Sequence, residues 1–215
     1  YFYRDLQAIL LAVLAGLKSG RPFADPMARL GWLIVLATIP AGLIGLLVKD
    51  LVEEAFATPL VVGISLLITA ALLVFAERIG KKTQQPLECL TWQKAIWIGL
   101  FQALAIFPGI SRSGSTIVGG MTGGLDRPSA ARFSFLMSIP IMLAAGLLAV
   151  KDLVSLPGLG GSLAVFIPGF IVAALVGYLS IRWLIGYLTR HPLHIFSIYC
   201  TLMGLLVIGV SLFAR

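Results

Sequence analysis

LFQALAIFPGISRSGSTIVGGMTGG, residues 100–124, decides how the whole chain is read. An apolar arm runs into Pro108-Gly109, and Arg112 follows among four small hydroxyl residues, Ser111, Ser113, Ser115 and Thr116. Across the wider stretch 93–125 the two apolar arms are about 15 and 9 residues long. Neither can cross a hydrocarbon core about 30 Å thick. A re-entrant helical hairpin is therefore expected, since broken backbone survives at membrane depth only when it is buried in protein or lines a wet cavity.

The surrounding composition is that of an integral membrane protein. Of 215 residues 59% are hydrophobic and 12% charged, and the mean hydropathy is +1.02, far from soluble domains. The expected fold is all-α and polytopic, one membrane domain over residues 1–215. Five runs reach the roughly 20 apolar residues a spanning helix needs: about 30–48, 58–76, 133–150, 163–185 and 193–213, with Pro40, Pro140 and Pro168 inside the first, third and fourth. Residues 6–17 are too short to span and read as the tail of a truncated helix or as an interfacial helix. The opening YFYRDLQAIL has neither a starting methionine nor a basic n-region, so no cleavable signal is read and an upstream segment is expected.

The net charge of +7 is scattered between apolar runs, which argues against a nucleic-acid partner. Topology accounts for it. If 93–125 enters and leaves on one side, Arg4, Lys18, Arg21, Arg29, Arg78, Lys81, Lys82, Lys94, Arg127, Arg132, Arg182 and Arg190 share a face, against Lys49, Lys151 and Arg215 on the other. The first face is then cytoplasmic. Trp32, Trp92, Trp97 and Trp183 read as interfacial anchors, and the pairs Gly119/Gly123 and Gly120/Gly124 as close helix packing. Cys89 and Cys200 read as unrelated free thiols.

Arg112 is the one basic residue this topology puts at membrane depth, where a centred arginine costs about 2.5–3.5 kcal/mol on insertion scales. None of the nine acidic residues falls in an expected span, so its partner should be a bound anion or chain outside these residues. The neighbours favour a phosphate. Guanidinium forks match phosphate oxygens; Ser111, Ser113, Ser115 and Thr116 bring hydroxyls; Gly109 and Gly114 let backbone amides turn inward. A helix starting near Ser113–Thr116 would aim its N-terminus at the same spot. Two other readings stay open: a Pro-Gly kink with a snorkelling arginine, and a channel or transporter filter. His191 and His194 flank Pro192, and Glu53 and Glu54 are adjacent; neither pair has metal-ligand spacing, so no metal site is expected in this chain.

PGISRSGSTI, residues 108–117, resembles the second signature of the undecaprenyl-diphosphate phosphatase (bacitracin-resistance) family, and RFSFLMSIP, 132–140, is similar to that family's next helix. The resemblance runs across nearly all of the chain. It implies an inverted-repeat membrane fold with two re-entrant hairpins meeting tip to tip. It also implies hydrolysis of undecaprenyl diphosphate to undecaprenyl phosphate and inorganic phosphate, recycling the lipid carrier of cell-wall (peptidoglycan) synthesis in the bacterial inner membrane. Ser111, Arg112, Ser113 and Thr116 would be catalytic, Gly109, Gly114 and Ser115 substrate-binding. A divalent cation, Mg²⁺ or Ca²⁺, is implied as cofactor, with membrane lipids and a homodimer as further partners. The family's first signature, a glutamate-rich stretch followed by Pro-Val-Ser-Ser-Thr-Gly-His, is not found in the 215 residues. Metal ligands and the nucleophile or acid/base group are therefore expected upstream, with this chain inactive alone. A transporter or scramblase of anionic lipid, with the hairpin as an anion-binding loop, is the alternative.

Overall fold

The computed structural model describes residues 1–80, 84–154 and 159–213, and in these the chain is helical. Its helices are α1 (Tyr3–Lys18), α2 (Pro26–Leu47), α3 (Lys49–Phe56), α4 (Pro59–Ile79), α5 (Trp92–Leu104), α6 (Arg112–Thr122), α7 (Arg127–Val154), α8 (Leu159–Leu188) and α9 (His194–Phe213). Five of them, α2, α4, α7, α8 and α9, are long and apolar enough to cross a membrane. Each corresponds to one of the five expected runs, and Pro40, Pro140 and Pro168 lie inside α2, α7 and α8 as read. Large apolar side chains such as Leu46, Leu47, Phe170 and Leu175 stand exposed on their outer faces, as helices solvated by lipid require.

Local chemistry sets the helix starts. Pro26 opens α2 behind Asp25, whose carboxylate accepts the N–H groups of Met27 at 2.7 Å and Ala28 at 3.2 Å. Pro59 opens α4 as its first residue, behind Thr58, whose side chain bonds back to Glu54 O and makes no cap bond. α1 has 16 residues, about 24 Å of helix, too short to span. Its Ile9 and Val13 seat against Gly31 of α2, and Asp5 pairs with Arg132 of α7.

The segment 93–125 folds back. α5 has 13 residues and α6 has 11, about 20 and 16 Å, and they run antiparallel. Gln85 before α5 and Leu125 after α6 form a parallel bridge, with Gln85 N–H donating to Gly124 O at 3.0 Å and Asp126 N–H to Gln85 O at 2.9 Å. Entry and exit are thus hydrogen-bonded to each other, which no full crossing would allow. The tip lies against the first half of α4, touching Val62, Ser65 and Thr69. Thr69 is ten residues beyond Pro59, about 15 Å along the helix and so near the middle of a 30 Å core.

Small residues bring the hairpin close to its neighbours. Gly119 lies on Phe101 and Ile98 of α5, Gly120 on Ala130 of α7, and Gly99 on the Ala37 carbonyl and Pro40 ring of α2. The buried core, with Phe133, Leu136 and Met137 at its centre, links α7 to α2, α4 and both hairpin arms.

Three expectations change. Glu77 lies inside α4, 2% exposed, and pairs with Arg127, so an acidic residue does sit within a span. Gly123 caps α6 and Gly124 turns with φ 96°, so only the first glycine of each spaced pair packs within that helix. Trp97 does more than anchor: its Nε1–H donates to Thr122 Oγ1 at 3.1 Å, tying the bases of the two arms together. Lys81, Lys82 and Arg215, used for topology, lie outside the described residues.

Candidate functional site at the hairpin tip

The tip conformation begins with Gly109, whose φ of 89° is left-handed and whose missing side chain lets the backbone rest on the Val62 carbonyl. Thr69 then fixes the next residues: its Oγ1 donates to Gly109 O at 3.4 Å and to Ser65 O at 3.1 Å, and accepts the Ser111 N–H at 3.2 Å. Ser111 is the N-cap of α6, its Oγ accepting the Gly114 N–H at 3.1 Å. Helix entry comes slightly earlier than the expected Ser113–Thr116. With Ser115 N–H bonded to Ser111 O at 2.8 Å, the first-turn amides of Arg112 and Ser113 have no acceptor among the described residues. Those orphan N–H groups and the helix dipole leave a positive end at mid-membrane.

The side chains of the seven expected residues take different directions. Arg112 reaches back along α5, where Nε and Nη2 both donate to Gln102 Oε1 at 3.4 Å, a long distance for such bonds. No carboxylate pairs with it among the described residues. Ser111 and Ser113, with Gly109 and Gly114, line a cavity of about 370 Å³ whose other wall is apolar, including Leu66 of α4 and Phe196 and Tyr199 of α9. Thr116 is 1% exposed, its Oγ1 bonded to Ser134 Oγ of α7 at 2.6 Å and to Arg112 O at 2.9 Å. Ser115 is equally buried and its Oγ has no partner. The tip therefore brings Ser111, Ser113, Gly109 and Gly114 together on the cavity, while the Arg112 side chain turns to α5 beside it, Thr116 faces α7 and Ser115 the protein interior.

Sequence reasoning missed Gln102, Thr69 and Ser134. Gln102 was findable: between Lys94 and Ser111 it is the one uncharged side-chain amide or hydroxyl in the first arm, and a polar side chain at membrane depth marks function or a partner. It is 3% exposed and its Nε2 has no acceptor, an omission costing about 1–3 kcal/mol.

The implied divalent cation finds no ligand set among the described residues. No three His, Cys, Asp or Glu side chains converge among the described residues. Glu77 is committed to Arg127 and to the Leu193 N–H, and Asp126 caps the Ser129 N–H. The donor set at the tip, guanidinium, amides and hydroxyls, fits an anion and does not fit a cation.

A site made of hydrogen-bond donors and a cation at the start of a helix suits an oxyanion with several oxygens. Comparison with known proteins agrees. The sequence matches the family described as bacitracin resistance protein BacA over residues 1–206. It is 45% identical over 188 residues to the undecaprenyl-diphosphatase of Methanosphaera stadtmanae, covering 86% of this chain and 66% of that protein. With the undecaprenyl-diphosphatase of Rubrobacter xylanophilus it shares 41% over 213 residues, 99% of this chain and 78% of the relative. With that of Chloroherpeton thalassium it shares 38% over 217 residues, 98% and 77%. The chain thus spans between 66% and 78% of the length of these relatives. On its residues and on these matches, the chain belongs to the BacA bacitracin-resistance family.

Proposed function

We propose that this chain supplies the phosphate-binding side of a membrane enzyme that hydrolyses undecaprenyl diphosphate to undecaprenyl phosphate and inorganic phosphate. The observation that carries the reading is the Arg112 guanidinium, lacking a carboxylate partner among the described residues and standing at the N-terminus of α6. Diphosphate oxygens would accept from Arg112 and from the orphan amides of Arg112 and Ser113. As the bond to the terminal phosphorus breaks, negative charge builds on those oxygens, and donors already in place stabilise it without reorganising. The Ser111 and Ser113 hydroxyls would orient the headgroup, and the apolar wall of the cavity they line would receive the first prenyl units.

The donors at the tip do not fit the Mg²⁺ or Ca²⁺ expected from the family resemblance, and no step of this reading passes through a metal. The bacterial inner membrane, where a cell-wall lipid carrier is recycled, is the location this reading assigns, and a homodimer is compatible with it. The test is phosphate release from a polyprenyl diphosphate by the purified full-length protein. Arg112→Ala is expected to lower turnover about 10²-fold or more; full turnover in that variant would overturn the role given to the tip.

A further inference from the structure

We propose that Gln102 is a positioning residue for the reaction, holding one edge of the Arg112 guanidinium and leaving its charge uncancelled for the diphosphate. The inference rests on the phosphatase reading and deepens it. An arginine offers five N–H donors in a planar fork. Gln102 Oε1 takes those on the Nε and Nη2 edge, both at 3.4 Å, so the terminal edge between Nη1 and Nη2 stays open to two oxygens of a phosphate. The left-handed turn at Gly109, with the Thr69 Oγ1 and Ser111 Oγ bonds to the Ser111 and Gly114 N–H groups, fixes where the Arg112 side chain starts. Its flexible stem leaves the head unconstrained, and Gln102 is its one side-chain partner among the described residues.

Two features separate this role from packing. Gln102 is 3% exposed and its Nε2 finds no acceptor, so a leucine of similar shape would serve the fold better by removing an orphan donor. A residue that is locally unfavourable yet bonded to the site arginine matches the way supporting residues are placed around a functional group. Charge is the second feature. A carboxylate at the same point would also hold the fork, but it would neutralise the guanidinium and compete with the anion; the amide orients it and leaves the charge intact.

The two variants should therefore split the kinetics. In the purified full-length protein, Gln102→Leu is expected to keep its melting temperature and to lose about 10- to 100-fold in kcat, the range found when a partner that orients an active group is removed. Gln102→Glu, nearly isosteric, keeps the orientation and should instead raise KM and the inhibition constant of inorganic phosphate about 10-fold. A merely structural glutamine would give losses that follow melting temperature, with KM and phosphate inhibition unchanged. Wild-type kinetics in Gln102→Leu beside an inactive Arg112→Ala overturns the inference alone, whereas full turnover in Arg112→Ala overturns the role given to the tip, and absence of phosphate release by the wild-type protein overturns the phosphatase reading beneath both. Should Gln102→Leu unfold, Gln102→Glu decides: an unchanged phosphate inhibition constant ends the proposal.

Discussion

The Glu77 carboxylate grips Arg127 with both oxygens, Oε1 to Nε at 2.7 Å and Oε2 to Nη2 at 2.6 Å, and its Oε1 also accepts the Leu193 N–H at 2.9 Å. One side chain thus fastens α4 to the start of α7 and to the turn before α9. Arg127 stands just beyond the exit of the hairpin, so this clamp fixes the frame from which the tip projects.

Breaking that clamp should be costly, because the carboxylate is 2% exposed and its partner 26%. Arg127→Ala leaves a buried charge with the Leu193 N–H as its remaining donor, and about 3–5 kcal/mol of stability should be lost. Replacing both partners with leucine should cost less than that single change. Unfolding in detergent micelles, followed for the three proteins, checks the order.

Gly109→Ala should damage the tip directly. At φ 89° a side chain is strained by about 1–2 kcal/mol, and the added Cβ would collide with the Val62 carbonyl on α4. The tip would have to leave its seat, taking the Ser111 bond to Thr69 with it. Phosphate release should fall by more than stability alone accounts for, as measured by specific activity of the folded fraction.

Thr116 and Ser113 should give opposite signatures. Thr116→Val leaves the buried Ser134 Oγ without its 2.6 Å partner, so stability should drop by about 1–3 kcal/mol while turnover per folded molecule stays near wild type. Ser113→Ala, at a half-buried cavity wall, should change stability by no more than about 0.5 kcal/mol and reduce turnover. Comparing kcat with melting temperature for the pair separates a residue that builds the site from one that faces its ligand.

Arg112→Lys should fail as a substitution even though it keeps the charge. An ammonium has no fork to share between Gln102 and two phosphate oxygens, and kcat/KM is expected to fall about 10-fold or more. Steady-state phosphate release gives the answer.

Much of this was legible from residue order. Apolar run length set the five spans, because lipid admits only helices long enough to satisfy their own backbone. Pro108-Gly109 between two short arms marked the hairpin, and the lone mid-membrane arginine marked the site. What escaped were pairings between residues far apart in the chain: Glu77 with Arg127, Thr116 with Ser134, Thr69 with Ser111, and, within the hairpin, Gln102 with Arg112. Glu77 read as lying just past a span end because hydropathy windows stop at a charge, even one whose cost is offset by a buried partner.

The sequence by itself determined that this chain is helical and lies in a membrane, and it favoured a fold-back at residues 108–111 that presents an arginine there, since neither short arm can cross the hydrocarbon core alone. Tertiary structure alone decided which way each side chain of the tip points. That direction depends on the neighbours α4, α5 and α7 happen to offer, so Thr116 ends on Ser134, Arg112 on Gln102, and Ser111 and Ser113 on the cavity.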